Sequence, residues 1–357
     1  MTLLHPGVTT WYVEYATDWP NFQVPIPVQR LFGLVSLEIG NDVTRDDLTG
    51  LSTLYELPHL ATLVLYRYTV TYSVLEVLSR FPALRVIRTH VAPCTIPDCG
   101  AHRPPPPPIK DGSFRMLTVL TISGCPHQIS EILDDENFPS HIESLIVESI
   151  ECTEDPSPSP VFPQIVEKIP TLTEFELREM IRDVSSPFAS LKPFLSYKLT
   201  ELRVESYLAL AYSASEIEEL VRSLPIIEVL YLDPGTLSSH ASFGTFQLNH
   251  LPLFARHCPR LAYLGIRLDT SYPCDTSLHD IAPFSVLEEL DLGVSFGSSS
   301  VSCGAAALLA FLLPQYCQLT FQYPYHSPLD AMLFKFVKDF VGKKPVRALS
   351  LLLDRTP

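Results

Sequence analysis

Apolar residues recur along the chain at a fixed internal spacing: one residue, a second three positions on, a third five positions on. The instances are Val8/Trp11/Val13, Leu34/Leu37/Ile39, Leu60/Leu63/Leu65, Leu84/Ile87/Thr89, Leu117/Leu120/Ile122 and Ile142/Leu145/Val147. They continue as Leu172/Phe175/Leu177, Leu199/Leu202/Val204, Ile227/Leu230/Leu232, Leu261/Leu264/Ile266, Leu287/Leu290/Leu292, Tyr316/Leu319/Phe321 and Val346/Leu349/Leu351. That makes thirteen candidate units, whose first positions lie from 24 residues apart (Leu60 to Leu84) to 34 apart (Ile227 to Leu261). Proline stands two residues before the first position in many of them, as at Pro6, Pro58, Pro82, Pro170, Pro225 and Pro259. Proline cannot continue a helix and pushes its predecessor into extended geometry. It therefore ends one unit's helix and delivers the chain to the next strand.

The stretches between the triplets switch to helical spacing. Tyr72 to Arg80 carries Val74, Leu75, Val77 and Leu78 on a helical period. Ser215 with Glu218 three residues on reads as a capping box ahead of Ile217, Leu220 and Val221. Gln164 to Ile169 and Leu248 to His257 read as further helices. A strand-and-helix unit repeated at this length predicts an α/β leucine-rich-repeat solenoid of about 12–13 irregular repeats. Parallel strands line the concave face of such a horseshoe and helices the convex face. One unit cannot bury its apolar side alone, but a stack can, so residues 1–357 are expected to form a single repeat domain.

Three stretches break the rhythm. Residues 91–112 hold five consecutive prolines, Pro104 to Pro108, and predict an extended polyproline loop inserted into the solenoid. Residues 151–163 read as an acidic Ser/Pro loop, with Ser157 and Ser159 each preceding a proline. Residues 295–345 form a less regular region, with an apolar helix at Ala305 to Leu313 and an amphipathic one at Leu329 to Val341.

Strand side chains alternate, so offsets two, four and six face away from the core. They supply the candidate binding residues: Tyr12, Tyr66, Arg88, His90, Glu148, Glu176, Arg178, Arg203, Glu205, Tyr231, Asp233, Tyr263, Arg267, Glu289 and Asp291. Tyrosine and arginine are the side chains that most often anchor protein interfaces.

Charge narrows the partners. The formal net charge is −15, which opposes binding to nucleic acid or an anionic membrane, both of which reward lysine and arginine. The start of the chain has no basic segment followed by an apolar run, and the longest apolar run, Ala305 to Leu313, falls far short of the about 20 residues a spanning helix needs. An intracellular protein of cytoplasm or nucleus, with reduced cysteines, is the expectation.

No phosphate-binding loop, dinucleotide fingerprint or zinc-protease motif occurs in the sequence. A Gly-x-Ser-x-Gly string, Gly293, Ser295 and Gly297, lacks the directly following helix that a hydrolase nucleophile needs. His90, Cys94, Cys99 and His102 bring four potential zinc ligands together, but their spacing matches no standard finger. Cys125 and Cys258 sit at unit edges, where small buried apolar residues fit. No catalytic residue, cofactor or metal is therefore expected.

The units LPHLATLVL (57–65), FPALRVI (81–87), FRMLTVLTISGCP (114–126), LPIIEVLYL (224–232) and CPRLAYLGI (258–266) resemble the leucine-rich region of fungal F-box proteins. More broadly they are similar to the ribonuclease-inhibitor-like repeats. The F-box resemblance implies the substrate-recognition region of an SCF-type ubiquitin ligase, with a Skp-type adaptor and a cullin as partners. No F-box segment is seen ahead of Val8, and neither end carries an obvious cap, so a truncated product or a relative that lost its F-box is expected. The ribonuclease-inhibitor-like resemblance implies an alternative, a small-GTPase regulator. The sequence ends in VRALSLLLDRTP, without the acidic tail of the Ran-activator family.

Overall fold

The computed structural model describes residues 8–14, 31–40, 57–66, 72–90, 109–124, 126–149, 161–179, 188, 191–206, 212–232, 246–269, 281–293 and 303–320. The chain divides into two compact units, one of Met1–Leu172 with Leu177–Met180, the other of Thr173–Glu176 with Ile181–Pro357.

In the first unit the strands are β1 (Thr10–Glu14), β2 (Ser36–Gly40), β3 (Thr62–Tyr66), β4 (Val86–His90), β5 (Val119–Gly124) and β6 (Ser144–Ser149). Each pairs in parallel with the next, and the middle leucine position of every repeat stays in register: Trp11, Leu37, Leu63, Ile87, Leu120 and Leu145 face one another in turn. Three helices intervene, α1 (Tyr72–Leu78), α2 (Pro126–Asp134) and α3 (Val161–Lys168). Strand β7 (Glu174–Glu179) follows, its residues shared between the two units.

The second unit repeats the plan with β8 (Glu201–Ser206) and β9 (Val229–Leu232), then β11 (Tyr263–Ile266), β13 (Glu289–Asp291) and β14 (Gln318–Thr320). Leu202, Leu230, Leu264, Leu290 and Leu319 hold the same register. Two short strands, β10 (Phe246–Gln247) and β12 (Leu268–Asp269), pair only with each other. The helices here are α4 (Ala214–Ser223), α5 (Leu251–His257) and α6 (Cys303–Leu312). Apart from β10 and β12, the described strands form a twelve-stranded parallel sheet in chain order. Twelve of the thirteen predicted units carry a strand of it; the thirteenth, at Val346, lies outside the described residues.

A backbone device recurs along the stack. The carbonyl at offset one accepts two N–H groups from the next unit. Val35 O takes Ala61 N and Thr62 N, Ala61 O takes Arg85 N and Val86 N, and Glu228 O takes Ala262 N and Tyr263 N. The N–H at offset zero turns back to the carbonyl three residues earlier, as in Leu34 to Leu31, Leu117 to Phe114 and Ile227 to Leu224. That earlier residue is apolar and buried too: Leu31, Leu57, Phe81, Phe114, Ile169, Leu224, Cys258 and Phe284 are all at most 5% exposed. The core of most repeats therefore has a fourth buried position, three residues ahead of the triplet, which the proline marker sits beside; in the repeat of Leu199 that place is taken by the exposed Ser196.

Several sequence expectations shift in detail. The capping box of α4 is Ser213 with Glu216, not Ser215 with Glu218: Glu216 N donates to Ser213 Oγ at 3.3 Å and Ser213 N to Glu216 Oε2 at 2.7 Å. The helix starts one half-turn earlier than the apolar pattern suggests. The expected loop 151–163 closes before Val161, because Val161 and Phe162 are buried in the first turn of α3. Pro163 is tolerated there because first-turn N–H groups have no intrahelical partner. In the twelfth unit the buried residue is Cys317, while Tyr316 is 60% exposed. Cys317 N makes the offset-zero bond, to Pro314 O. The expected irregular stretch 295–345 thus contains a regular helix and an in-register strand. The Leu329–Val341 helix and residues 91–108 lie outside the described residues.

Candidate functional site

The predicted open face behaves differently in the two units. In the first, Arg88 is exposed on β4, as expected. On β5 and β6 the same face is closed beyond the half-buried Val119: Thr121, Ser123, Ser144, Ile146 and Glu148 are all at most 8% exposed. Glu148 is the hub of this strip. Its Oε2 accepts from Ser123 Oγ at 2.8 Å and from Thr89 Oγ1 at 2.9 Å, and its Oε1 from Arg178 Nη1 at 2.9 Å. Thr89 N–H donates to Thr121 Oγ1 at 3.3 Å, so a side chain takes over where the β4–β5 register, Val86 to Val119 and Ile87 to Leu120, runs out. A buried carboxylate with three donors is satisfied, and it is a fixed structural element rather than a surface group. Tyr66 lies at the end of β3 opposite His90, and the side chains of both are outside the described residues, as are Cys94, Cys99, His102, Cys125 and Asp233. Among the described residues no group of three or more His, Cys, Asp or Glu is placed to hold a metal ion.

In the second unit the face is open. Register places its side chains in two rows across the strands. Glu201, Val229, Tyr263, Glu289 and Gln318 make one; Arg203, Tyr231, Gly265, Asp291 and Thr320 make the other. The side chains in these rows are half-buried or exposed, and Glu205 is exposed at the end of β8. Glu176, half-buried on β7, adds a negative charge that acts on Arg203. The opposite face is sealed, with Leu202, Leu230, Leu264 and Leu290 each 0% exposed.

One glycine shapes this face. A Cβ built on Gly265 would stand 2.1 Å from the Tyr231 ring, so the ring lies across the position where every neighbour in the row has a side chain. The Arg203 guanidinium stacks over the same ring, 4.5 Å from its centroid. Arg203 also bonds Glu201. Burial raises the Tyr231 hydroxyl's pKa, and the nearby Glu289 and Asp291 carboxylates add to that, partly opposed by Arg203. Asp291 Oδ1 accepts from Gly293 N at 2.8 Å, and Glu289 Oε1 from Thr320 Oγ1 at 3.2 Å. At the rim Tyr263 donates its hydroxyl to Glu288 Oε2 at 2.9 Å.

Arg267, expected on this face, is fully buried. The alternation ends with β11 at Ile266; the chain then enters β12, and Arg267 O accepts Phe246 N of the neighbouring β10 at 3.1 Å. Of the extra pair, β10 lies in the longest repeat, Ile227 to Leu261, and β12 in the one that follows; that extra length was the one sequence signal for it. Cys258 fills the fourth buried position of its repeat, with its Sγ 3.6 Å from Val221 O. Burial pushes its thiol up to about 12. It is an inert packing group, as the sequence suggested.

No protein-family model and no curated protein matches the chain. Among solved structures it is similar to a chain in the crystal structure of a TLR13–ssRNA13 complex, at 14% identity and a TM-score of 0.30. The match covers 83% of this chain and 52% of that one, so this chain spans about half the length of that structure. Among the described residues no helix is long and apolar enough to cross a membrane.

Proposed function

We propose that this chain is a protein-binding scaffold of the leucine-rich-repeat type, a single curved solenoid with strands on its concave side and helices on its convex side. It works by holding a protein ligand, not by catalysis. The observation that carries this reading is the two-faced character of the second unit's strands. One side is sealed by leucines, and the other displays Arg203, Glu205, Tyr231, Tyr263, Glu289 and Asp291 in ordered rows. Aromatic and arginine side chains on a rigid sheet bury large area at low entropic cost, the usual composition of an interface anchor.

The finer reading is the substrate-recognition region of an SCF-type ubiquitin ligase, supported by the repeat segments 57–65, 81–87, 114–126, 224–232 and 258–266 and their resemblance to fungal F-box proteins. Its partners are then a substrate on the open face, and a Skp-type adaptor with a cullin elsewhere. The test is purification of the tagged chain from fungal cells with the proteasome blocked, alongside a Tyr231→Ala, Asp291→Arg variant. The scaffold reading expects proteins that are lost from the variant, and it fails if every captured protein persists. The ligase reading expects the adaptor and cullin with both forms, and their absence removes it.

A further inference from the structure

We propose that the open face of the second unit takes an extended basic segment of its partner, seating a lysine or arginine side chain beside Tyr231 against Glu289 and Asp291. This rests on the open-face reading above and names the chemistry of what binds there.

Charge complementarity points to such a segment. On β8 to β14 the described face carries Glu201, Glu205, Glu289 and Asp291 against Arg203 alone, four acids to one base. The face already holds one guanidinium in this way. Arg203 is stacked on the Tyr231 ring and paired to Glu201, an aromatic–carboxylate cradle for a cation. Residue 265 makes a notch. Tyr231, Gly265 and Asp291 share one row across adjacent strands, about 4.8 Å per step, so removal of one side chain lets the ring lie down toward the acids. Of those acids, Glu289 accepts a threonine hydroxyl and Asp291 a backbone N–H, and among the described residues neither is ion-paired. A cation from outside completes the arrangement that Arg203 makes over the ring. An extended backbone suits the face because successive rows repeat at strand spacing.

The probe is a fluorescent peptide alternating arginine with serine, compared with its glutamate–serine counterpart, measured by anisotropy on the full chain. Binding of the arginine peptide is expected, weakening about tenfold in Glu289→Gln, Asp291→Asn, which removes two charge contacts without changing shape. Gly265→Ala, which displaces the Tyr231 ring, is expected to weaken it by a similar factor. Thermal melts establish that each variant folds. Equal binding to parent and to the double variant overturns the proposal, as does tighter binding of the glutamate peptide. If either happens while a photo-crosslinker at Tyr263 still captures a cellular protein, only the basic occupant is wrong. If that capture also fails, the open-face reading itself falls.

Discussion

Replacing Glu148 with alanine should destabilise the first unit far more than its place on a nominally open sheet face suggests. Three donors converge on this carboxylate, from Ser123, Thr89 and Arg178, at 2.8, 2.9 and 2.9 Å. Ser123 and Thr89 are each 1% exposed, so neither hydroxyl can turn to water when the acceptor goes. Breaking a buried ion pair from one side costs about 3–5 kcal/mol, and each stranded buried hydroxyl about 1–3 kcal/mol, with the terms far from additive. The Arg178 side chain is 29% exposed and regains some solvation, which lowers its share. A net loss of about 3 kcal/mol is expected for Glu148→Ala, read as a shift in urea midpoint followed by circular dichroism. The triple change Glu148→Leu, Ser123→Ala, Thr89→Val removes both hydroxyl donors together with their acceptor and should recover part of that loss, because only the part-exposed Arg178 is left without its partner. A Glu148→Ala midpoint within about 0.5 kcal/mol of the parent would refute the assignment of this strip as buried structure.

Other outcomes follow from the repeat geometry. Leu230→Ala, at a fully buried middle position, should cost about 2–5 kcal/mol in the same urea assay. Ser213→Ala should cost about 1 kcal/mol by removing the capping bond to Glu216 N, whereas Ser215→Ala should change little. Cys258 should resist alkylation at pH 8 in the native chain and react once denaturant is added, scored by mass spectrometry. His250 accepts Gln247 N–H at its Nδ1, at 3.1 Å, and burial lowers its pKa. The neutral form is the one the fold needs. Its stabilising contribution is therefore complete above the unfolded histidine value of about 6.5 and is lost as pH falls through the lower folded value. Replacing His250 with asparagine should flatten the fall in stability as pH drops below about 6.5.

The repeat could be read from the sequence because its apolar triplet reports burial directly. Every residue at the middle position of the units from Leu34 to Leu287 that faces the core is sealed from water, from Leu37 through Leu290. The fourth buried position was less visible, since Leu31, Phe81, Ile169 and Cys258 differ in size and stand outside the triplet, next to the conspicuous prolines. Period-two alternation placed Arg203, Tyr231, Tyr263 and Asp291 on one face, but alternation cannot say whether that face is covered. Glu148 and Arg267 occupy equivalent offsets and are both buried. Glu148 is closed in by donors from β4, β5 and β7, three contacts separated by 59, 25 and 30 residues in sequence. Arg267 stands just past the end of β11, where the chain has left the alternation and is about to enter β12. Gly265 gave no signal either, because the reason for a missing side chain there is a tyrosine one strand away.

The most direct test of the central claim is site-specific photo-crosslinking in cells. A crosslinking amino acid is placed at Tyr263 or Thr320 on the open face of the second unit, and in parallel at Arg222 on the exposed side of α4. A discrete adduct with a partner protein is expected from Tyr263 and Thr320, weakened by Glu289→Gln with Asp291→Asn, and none from Arg222. Adducts from Arg222 alone would place the ligand on the helices and contradict the central claim.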